Sequence, residues 1–407
     1  MPDDGARLLT GPSVEPLLRA AVEHQGGHLL NWSLDHVDAA PEQSTTATYV
    51  TQVRWPHGER TELLGVSART GELSPTDGRA EIFEDGHRQV AVWLYPNDPD
   101  LLGLPRAAFP DRMAETLNVG SVLSRPVTAE QLSLSMIAYR PRRRAVVKVV
   151  VSDPHEVFYV KVLRERVFGE IHHKHALLRD AGLPAPEVVL TTDDHLLVTR
   201  ELPGKSLARA IFEPGDPCPP EDLIRLLDAM PQAVAGLGRR APWADAVGHY
   251  ARMVSATLPE LAQELSWLSA QISHGLSRFP PGNEATHGDF HEGQLRVAGG
   301  KVVGMLDVDT IGPGRRADDL ACLIGHLSTI QRMNPQQEAK VRDLLARWVP
   351  VFDRRVDPVE LRLRAAAVVI SLATGPYRSQ EIDWRQQTIA MIRSAGALVR
   401  QVAPTEP

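Results

Sequence analysis

The residues best suited to chemistry lie in one short stretch of the chain, residues 284–307. Two apolar runs in this stretch, 295–297 and 302–306, flank Gly299-Gly300, and this pattern predicts a β-hairpin. A hairpin brings its two open ends together, so the polar residues at those ends are expected to be neighbours. They are His287, Asp289, His291, Glu292, Gln294, Asp307 and Asp309.

Three of these side chains predict a metal site. Asp289 and Gln294 precede the first strand and Asp307 ends the second, so we expect all three to lie within a few ångströms of one another. Two carboxylates repel each other unless a cation or a proton lies between them. Carboxylate and amide oxygens are hard ligands, which suit a Mg²⁺ ion that carries phosphates.

A lysine in an apolar strand is the second candidate. Strands are predicted over 132–139, 145–151 and 157–163, and in the third strand Lys161 shares one face with apolar residues because side chains alternate. A lysine is costly to bury unless it is paired. Either Lys161 lies in solvent on an edge strand, or it is a functional cation.

Three ordered motifs resemble the catalytic core of the aminoglycoside phosphotransferase and choline kinase superfamily, which comprises small-molecule kinases with a protein-kinase-like fold. The motifs are His287-Gly288-Asp289 followed by Gln294, then Leu306-Asp307, and then Asp319-Leu320-Ala321. The family usually has Asn where this chain has Gln294, and maltokinases and related bacterial sugar kinases are similar to this sequence in having Gln there. The resemblance covers residues 119–400 and implies ATP and Mg²⁺ as cofactors.

The resemblance implies roles for the residues around the hairpin. Asp289 orients the acceptor hydroxyl and takes its proton, while Gln294 and Asp307 hold Mg²⁺ against the phosphates of ATP. His287 and Asp319 position the catalytic loop.

Two further acidic residues, Asp309 and Glu292, can each be interpreted in two ways. Asp309 either binds a second metal ion or is structural. Glu292 either holds an amine or a hydroxyl of the acceptor, or it lies on the surface.

The same resemblance predicts the nucleotide-binding residues. Lys161 holds the α- and β-phosphates and pairs with Glu170 on the following helix, which we expect over residues 164–181. The adenine contacts backbone groups near three residues, Thr199, Glu201 and Leu202. The histidines of the same helix, His172, His173 and His175, are expected on a solvated face.

The first turn of this lobe, Arg140–Arg144, lacks the glycine or serine with which many such kinases cover the phosphates. Either one arginine, for which we take Arg143, binds phosphate oxygens bidentately, or the turn is basic and solvated.

The expected fold class is α+β. It is a protein-kinase-like two-lobe fold, with a small antiparallel β lobe and a large, mostly helical lobe, preceded by an N-terminal α+β cap domain. The cap is 1–118, the small nucleotide-binding lobe is 119–204, and the helical catalytic and acceptor-binding lobe is 205–407. In the cap, a helix over 12–24 precedes strands over 28–37, 45–55, 60–66, 79–83 and 89–95, and the Pro-rich stretch 96–110 is the expected linker.

Composition excludes several classes of protein. The net charge is −7, so there is no basic field for nucleic acid. The N-terminus lacks the pattern of a signal peptide, and the longest uncharged apolar run, 365–373, is too short to span a bilayer. The two cysteines have no metal-ligand spacing. We therefore expect a cytoplasmic protein with a small-molecule acceptor and no nucleic-acid or membrane partner.

The sequence thus predicts an ATP- and Mg²⁺-dependent phosphotransferase that acts on a hydroxyl of a small polar molecule. Gln294 and the cap, which maltokinases also carry, favour a sugar or amino sugar, and an aminoglycoside or another antibiotic is the alternative acceptor. Two other classes are a non-catalytic kinase-like binding module and a hydrolase metal site. The hydrolase site would use His287, Asp289, His291 and Asp307, but it leaves Lys161, Glu170 and the motif 319–321 unexplained.

Overall fold

The computed structural model describes residues 5–40, 44–69, 80–84, 89–330 and 334–402. The chain forms two compact units. The first comprises Met1–Glu170, Val188–Glu201 and Arg378–Gln380, and the second comprises Ile171–Glu187, Leu202–Tyr377 and Glu381–Pro407.

The N-terminal part of the first unit is a five-stranded antiparallel sheet with strand order β1-β2-β3-β5-β4, preceded by two helices. Leu18, Ala21 and Val22 lie on one face of α2 and pack with the buried face of the sheet. The helix and the strands agree with the prediction, except that the expected start of the fourth strand at Arg79 lies outside the described residues. The elements are α1 Ala6–Thr10, α2 Glu15–His24, β1 His28–Ala40, β2 Ser44–Trp55, β3 Gly58–Arg69, β4 Glu81–Glu84 and β5 Gln89–Leu94.

A second antiparallel sheet in this unit has strand order β6-β7-β8-β10-β9. Buried and half-buried residues alternate along β7 and most of β8, and the buried residues of these strands form one apolar face. Leu101, Leu104 and Ala107, from the stretch expected to be a linker, are fully buried and pack in the same apolar cluster as this sheet. The linker prediction is therefore wrong. The elements are α3 Leu104–Ala108, α4 Pro110–Val119, β6 Leu132–Arg140, β7 Arg144–Val151, β8 Glu156–Leu163, β9 Val188–Thr191 and β10 Leu196–Arg200.

Helix α5, Glu165–Asp180, has residues in both units. The second unit is otherwise mostly helical. Its early elements are β11 Lys205–Ser206, α6 Leu207–Ala210, α7 Pro220–Asp228, α8 Val247–Thr257, α9 Ala262–Leu276 and β12 Glu284–Thr286. They are followed by β13 Leu295–Ala298, β14 Lys301–Met305, β15 Gly312–Gly314, α10 Arg316–Leu327, α11 Pro335–Phe352, α12 Pro358–Leu372, α13 Gly375–Arg378 and α14 Trp384–Arg400.

Helix α12 is buried along nearly its whole length, as its lack of a polar face predicts. It begins at Pro358, which has no N–H to leave unpaired at a helix start. The carboxylate of Asp357 accepts hydrogen bonds from the N–H groups of Val359 and Glu360, which caps the helix.

The predicted hairpin is confirmed as β13 and β14, with Leu295 opposite Met305. Gly299 and Gly300 have φ angles of 57° and 71°, a left-handed conformation that glycine adopts without steric cost. Strand β15 pairs with β12, so that Gly312 lies opposite Thr286. These short pairings fix both ends of the loop that carries His287 and Asp289.

The described residues confirm the α+β class, with antiparallel sheets and many helices. The division into 1–118, 119–204 and 205–407 stays a prediction. No helix in the described part of the chain is long and apolar enough to cross a membrane.

Candidate active site

His287 follows β12 and is completely buried. Its Nε2 lies 2.9 Å from the carbonyl oxygen of Leu306, and its Nδ1 lies 3.3 Å from the N–H of Asp289. The carbonyl requires a proton on Nε2, and the N–H requires a lone pair on Nδ1. Both ring nitrogens are therefore occupied, which suits a residue that positions the loop.

Asp319, also completely buried, anchors the same loop from the first turn of α10. Its two carboxylate oxygens accept the N–H groups of His287 and Gly288 at 3.0 and 2.9 Å. Arg316 donates to it at 3.1 Å and also to the carbonyls of Leu227 and Ala285. Burial raises the pKa of Asp319, while Arg316 and the two backbone donors oppose that rise.

Gly288 is a position where only glycine fits. Its φ is +80°, and a Cβ there would lie 2.6 Å from the carbonyl oxygen of Thr310. The hydroxyl of Thr310 in turn donates to the carbonyl of His287 at 2.8 Å. The backbone therefore turns tightly just before Asp289, which is only partly buried.

The hairpin brings Gln294 next to the segment that carries Asp307. The carbonyl of Gln294 accepts the N–H of Leu306 at 2.7 Å, so the residue before Asp307 lies directly opposite Gln294. Asp307 itself has φ 49° and ψ 55°, a left-handed conformation that is uncommon outside glycine, although Asp adopts it more readily than most residues. Such backbone strain is often found at functional sites.

Asp309 lies two residues further on, and its carbonyl oxygen accepts a hydrogen bond from Lys174 Nζ at 2.8 Å. Lys174 is buried on α5. This hydrogen bond holds the backbone of Asp309 and leaves both interpretations of its carboxylate open.

Glu292 lies beside two imidazoles. Its Oε2 lies 3.9 Å from His291 Nδ1 and 4.0 Å from His326 Nδ1. Burial raises the pKa of Glu292 to about 7, and the charge of Asp289 adds to this rise. Burial also lowers the pKa of His326 to about 3 and lowers that of His291, so the uncharged imidazoles are favoured.

In the first unit, Lys161 lies on β8 between Val146 of β7 and Leu197 of β10. It is therefore on an inner strand, and the edge-strand interpretation is wrong. Tyr159 points to the same face two residues earlier and lies opposite Lys148. This face of the sheet carries two lysines, whereas the opposite face is apolar and buried.

Glu170 lies on α5 with an exposed side chain, and its pairing with Lys161 stays a prediction. Two of the three histidines on this helix, His172 and His173, are exposed, but His175 is buried, with Nδ1 3.2 Å from the carbonyl of Pro186. The prediction of a solvated face is therefore wrong for His175.

The turn Arg140–Arg144 is not simply solvated. Arg142 is buried, with φ 59°, and its N–H donates to the carboxylate of Asp98 at 2.8 Å. Its guanidinium lies 5.2 Å from the ring centroid of Trp93. Arg143 is 57% exposed and donates to Asp38 at 2.9 Å, so phosphate binding by Arg143 stays a prediction.

The residues expected to contact adenine lie at and just beyond the end of β10. The hydroxyl of Thr199 donates to the carbonyl of Tyr159, and the N–H of Glu201 donates to the carbonyl of Val157 at 2.9 Å. In the second unit, Arg296 donates to the carbonyl of Leu202 at 3.2 Å. Adenine binding by these residues stays a prediction, in which the Glu201 N–H is already engaged, whereas the Leu202 carbonyl has a second lone pair.

Comparison with known proteins identifies the family. The model of the phosphotransferase enzyme family (APH) matches residues 144–356, which is more than half of the chain. The chain belongs to this phosphotransferase family. The match confirms the resemblance drawn from the motifs and the protein-kinase-like fold that the resemblance implies.

Several solved structures are similar to this phosphotransferase-family chain. The ethanolamine kinase of Plasmodium vivax is 12% identical, with 71% of this chain and 90% of that chain covered and a TM-score of 0.45. A thermostable mutant of the aminoglycoside phosphotransferase APH(4)-Ia is 14% identical, with 67% and 96% covered and a TM-score of 0.47. The choline kinase of Cryptosporidium parvum is 11% identical, with 74% and 95% covered and a TM-score of 0.43. No curated protein matches the chain.

Four residues were not predicted from the sequence: Arg142 in the first unit, and Lys174, Arg316 and His326 in the second. A usable signal existed for two of them. Lys174 falls on the helical stripe of Ile171 and Leu178, and His326 falls seven residues after Asp319 on one face of α10. The two arginines carry no such signal, because most of their partners are distant in sequence.

Proposed function

We propose that this phosphotransferase moves the γ-phosphate of ATP to a hydroxyl group of a small polar molecule, a sugar or amino sugar. The observation that carries the proposal is the arrangement around the hairpin. A tightly anchored loop presents Asp289, while the hairpin register brings Gln294 opposite the residue before a left-handed Asp307.

In this proposal each anchored residue of the second unit has one task. Asp289 orients the acceptor hydroxyl and takes its proton as the phosphoryl group is transferred. His287 and Asp319 keep the backbone before Asp289 in place through their hydrogen bonds to the loop. Good alignment matters because phosphoryl transfer depends mainly on positioning and charge neutralisation.

The donor groups at the hairpin fit a magnesium ion. The amide oxygen of Gln294 and the carboxylate of Asp307 are hard oxygen ligands, and Mg²⁺ typically binds one or two carboxylates together with substrate phosphates. When bound, Mg²⁺ would neutralise charge on those phosphates. Asp309 is the candidate ligand for a second metal ion, with a structural role as the alternative.

Lys161 is the proposed phosphate-binding cation of the small lobe, with Glu170 as its ion-pair partner. Its place on an inner strand, on the face opposite the apolar core, supports this role. We also keep the assignment of 1–118 as a cap, 119–204 as the nucleotide-binding lobe and 205–407 as the catalytic lobe.

Few features of the chain favour a sugar or amino sugar as the acceptor. Gln294 and the N-terminal α+β region resemble features of maltokinase-type sugar kinases. Glu292 follows Asp289 by three residues on the same loop, and we keep it as the candidate that holds an amine or a hydroxyl of the acceptor.

The test is phosphate transfer from ATP and Mg²⁺ to a panel of acceptors, with the phosphorylated product identified by mass spectrometry. The panel contains maltose, glucose, glucosamine, several aminoglycosides, a macrolide, choline and homoserine. Asp289→Ala is the inactive control. Asp343→Ala, which removes a 67% exposed carboxylate on α11, is the matched active control.

Transfer to one sugar that is lost only in Asp289→Ala would support both the reaction and the acceptor class. Transfer only to antibiotics would replace the sugar by the alternative acceptor class. Unchanged turnover in Asp289→Ala would remove Asp289 as the base. A chain that binds no ATP in the presence of Mg²⁺ would contradict the reaction itself.

A further inference from the structure

Two imidazoles and one carboxylate converge beside the catalytic loop. His291 and Glu292 come from the loop itself, and His326 comes from the last turn of α10. Their side chains are only 17%, 13% and 20% exposed. One donor atom from each residue can be chosen so that all three atoms lie within 4.8 Å of one another. This is a compact, largely dry set of nitrogen and oxygen donors.

One oxygen of the carboxylate in this set lacks a hydrogen-bond partner in the described part of the chain. Glu292 Oε2 is shielded from solvent and has no hydrogen-bond partner among the described residues. A buried polar atom of this kind requires an explanation, and a bound ion is one of the usual ones. The imidazole nitrogens of His291 and His326 face it from beyond hydrogen-bond distance.

The two imidazoles are arranged side by side. Their ring centroids lie 4.0 Å apart and their planes differ by only 7°. Both rings therefore present a nitrogen to the same carboxylate oxygen, at 3.9 and 4.0 Å.

We propose that His291, Glu292 and His326 bind a divalent transition-metal ion of the zinc class. Two imidazoles and one carboxylate form the ligand set of the His₂Glu zinc sites of metalloenzymes. The set differs from the all-oxygen ligands proposed at Gln294 and Asp307, because imidazole suits zinc-class ions and oxygen ligands suit magnesium.

Binding requires a small local rearrangement. With metal–ligand distances of about 2.0–2.1 Å in a tetrahedral site, donor atoms lie about 3.3 Å apart. Each histidine therefore has to approach Glu292 by about 0.6 Å, and the parallel rings have to tilt towards one point. Binding through His291 Nδ1 also displaces the N–H of Gly293, which lies 3.1 Å from it.

A second, overlapping set shares His326. Donor atoms of Asp289, Cys322 and His326 also lie within 4.8 Å of one another, and Cys322 Sγ is 3.9 Å from Asp289 Oδ1. We favour the first set on geometry, because Glu292 Oε2 has no hydrogen-bond partner among the described residues, whereas Asp289 Oδ1 lies within reach of the Cys322 thiol. The experiment separates the two sets.

The test is a titration of the full-length chain with Co²⁺ and Zn²⁺, after treatment with a chelator and without ATP or acceptor. We expect visible Co²⁺ absorption that saturates at one ion per chain, displacement of Co²⁺ by Zn²⁺ but not by excess Mg²⁺, and a thermal midpoint raised by Zn²⁺. His326→Ala and the conservative Glu292→Gln should each weaken binding by about tenfold or more, as for residues that support a metal site. His274→Ala, which removes an exposed histidine on α9, should bind like the unaltered chain.

Several results would overturn the proposal. One is the absence of saturable Co²⁺ binding in the unaltered chain. Another is equal affinity in His326→Ala, Glu292→Gln and His274→Ala, which would indicate adventitious binding to surface histidines. A sulfur-to-cobalt charge-transfer band that Cys322→Ser abolishes would assign the ion to the overlapping set instead. Circular dichroism of each metal-free variant ensures that only folded chains are compared.

Discussion

Replacing Asp319 by alanine should destabilise the catalytic loop strongly. The buried carboxylate accepts the N–H groups of His287 and Gly288 and pairs with Arg316. Alanine removes every one of these acceptor positions at once. Two backbone donors and one buried guanidinium lose a partner at a position that is completely buried.

The magnitude follows from the interactions that alanine removes. A hydrogen bond to a charged group contributes about 1.5–3 kcal/mol, and removing one partner of a buried ion pair costs about 3–5 kcal/mol. These contributions overlap because they belong to one carboxylate, and Arg316 keeps its bonds to the carbonyls of Leu227 and Ala285. We therefore expect the free energy of unfolding to fall by about 4 kcal/mol.

Asp319→Asn separates the loss of the negative charge from the loss of the whole side chain. The amide has the same shape and keeps one acceptor oxygen, but its NH₂ group must face one of the donors that the carboxylate accepted. We expect a loss of about 2–3 kcal/mol, intermediate between alanine and the unaltered chain. Asp343→Ala is the control, since its partner Arg342 lies 3.9 Å away on the surface and exposed pairs contribute about 0–1 kcal/mol.

Urea unfolding gives the stability of each variant, and hydrogen exchange of the peptide around His287 and Gly288 reports the loop itself. We expect the order Asp319→Ala, Asp319→Asn, Asp343→Ala, from least to most stable, with faster exchange in the loop for the first two. A loss below about 1 kcal/mol in Asp319→Ala, within the range of a surface pair, would refute this expectation.

Three further outcomes are expected. Lys161→Ala should weaken ATP binding about tenfold, the loss of one charge-assisted hydrogen bond, whereas Lys301→Ala at the exposed hairpin tip should not; equal affinities in a binding titration would contradict the small-lobe assignment. Asp98→Ala should lower stability by about 2–3 kcal/mol in thermal unfolding, because it strands two buried donors. Cys218, whose pKa burial raises to about 12, and Cys322 should resist a disulfide reagent at neutral pH until urea is added, and prompt labelling of the folded chain would disprove their burial.

The hairpin and the motifs it carries were predictable because their signals are local. Gly299-Gly300 between two apolar runs specifies the turn, and the turn then determines that Gln294 lies opposite the residue before Asp307. The left-handed backbone of Asp307 was not predictable. It follows from the end of β14 and the short turn that returns the chain to β15, which are tertiary constraints rather than a propensity of aspartate.

The linker was misjudged for a related reason. The stretch 96–110 contains several Pro and Asp residues, which usually indicate a loop. Its leucines nevertheless pack in a buried core. Leu101 and Leu104 pack against the apolar face of the second sheet. The sequence of 96–110 alone does not show that this face lies next to it. A Pro-rich composition predicts irregular backbone, and it does not predict whether the apolar residues between the prolines are exposed.

Buried cations were the hardest feature to predict. Lys174, Arg142 and Arg316 are each at most 5% exposed, although long charged side chains are almost never fully buried unless paired. Lys174 and Arg316 donate to backbone carbonyls. Every residue has a carbonyl group, so the sequence does not show which residue will accept such a bond. For Lys174 the period of α5 was the available signal, since it lies between Ile171 and Leu178 on one helical stripe. A lysine or arginine in the buried stripe of a helix therefore indicates a partner from elsewhere in the chain. For Lys174 that partner is the backbone carbonyl of Asp309, which lies in the segment proposed to bind magnesium.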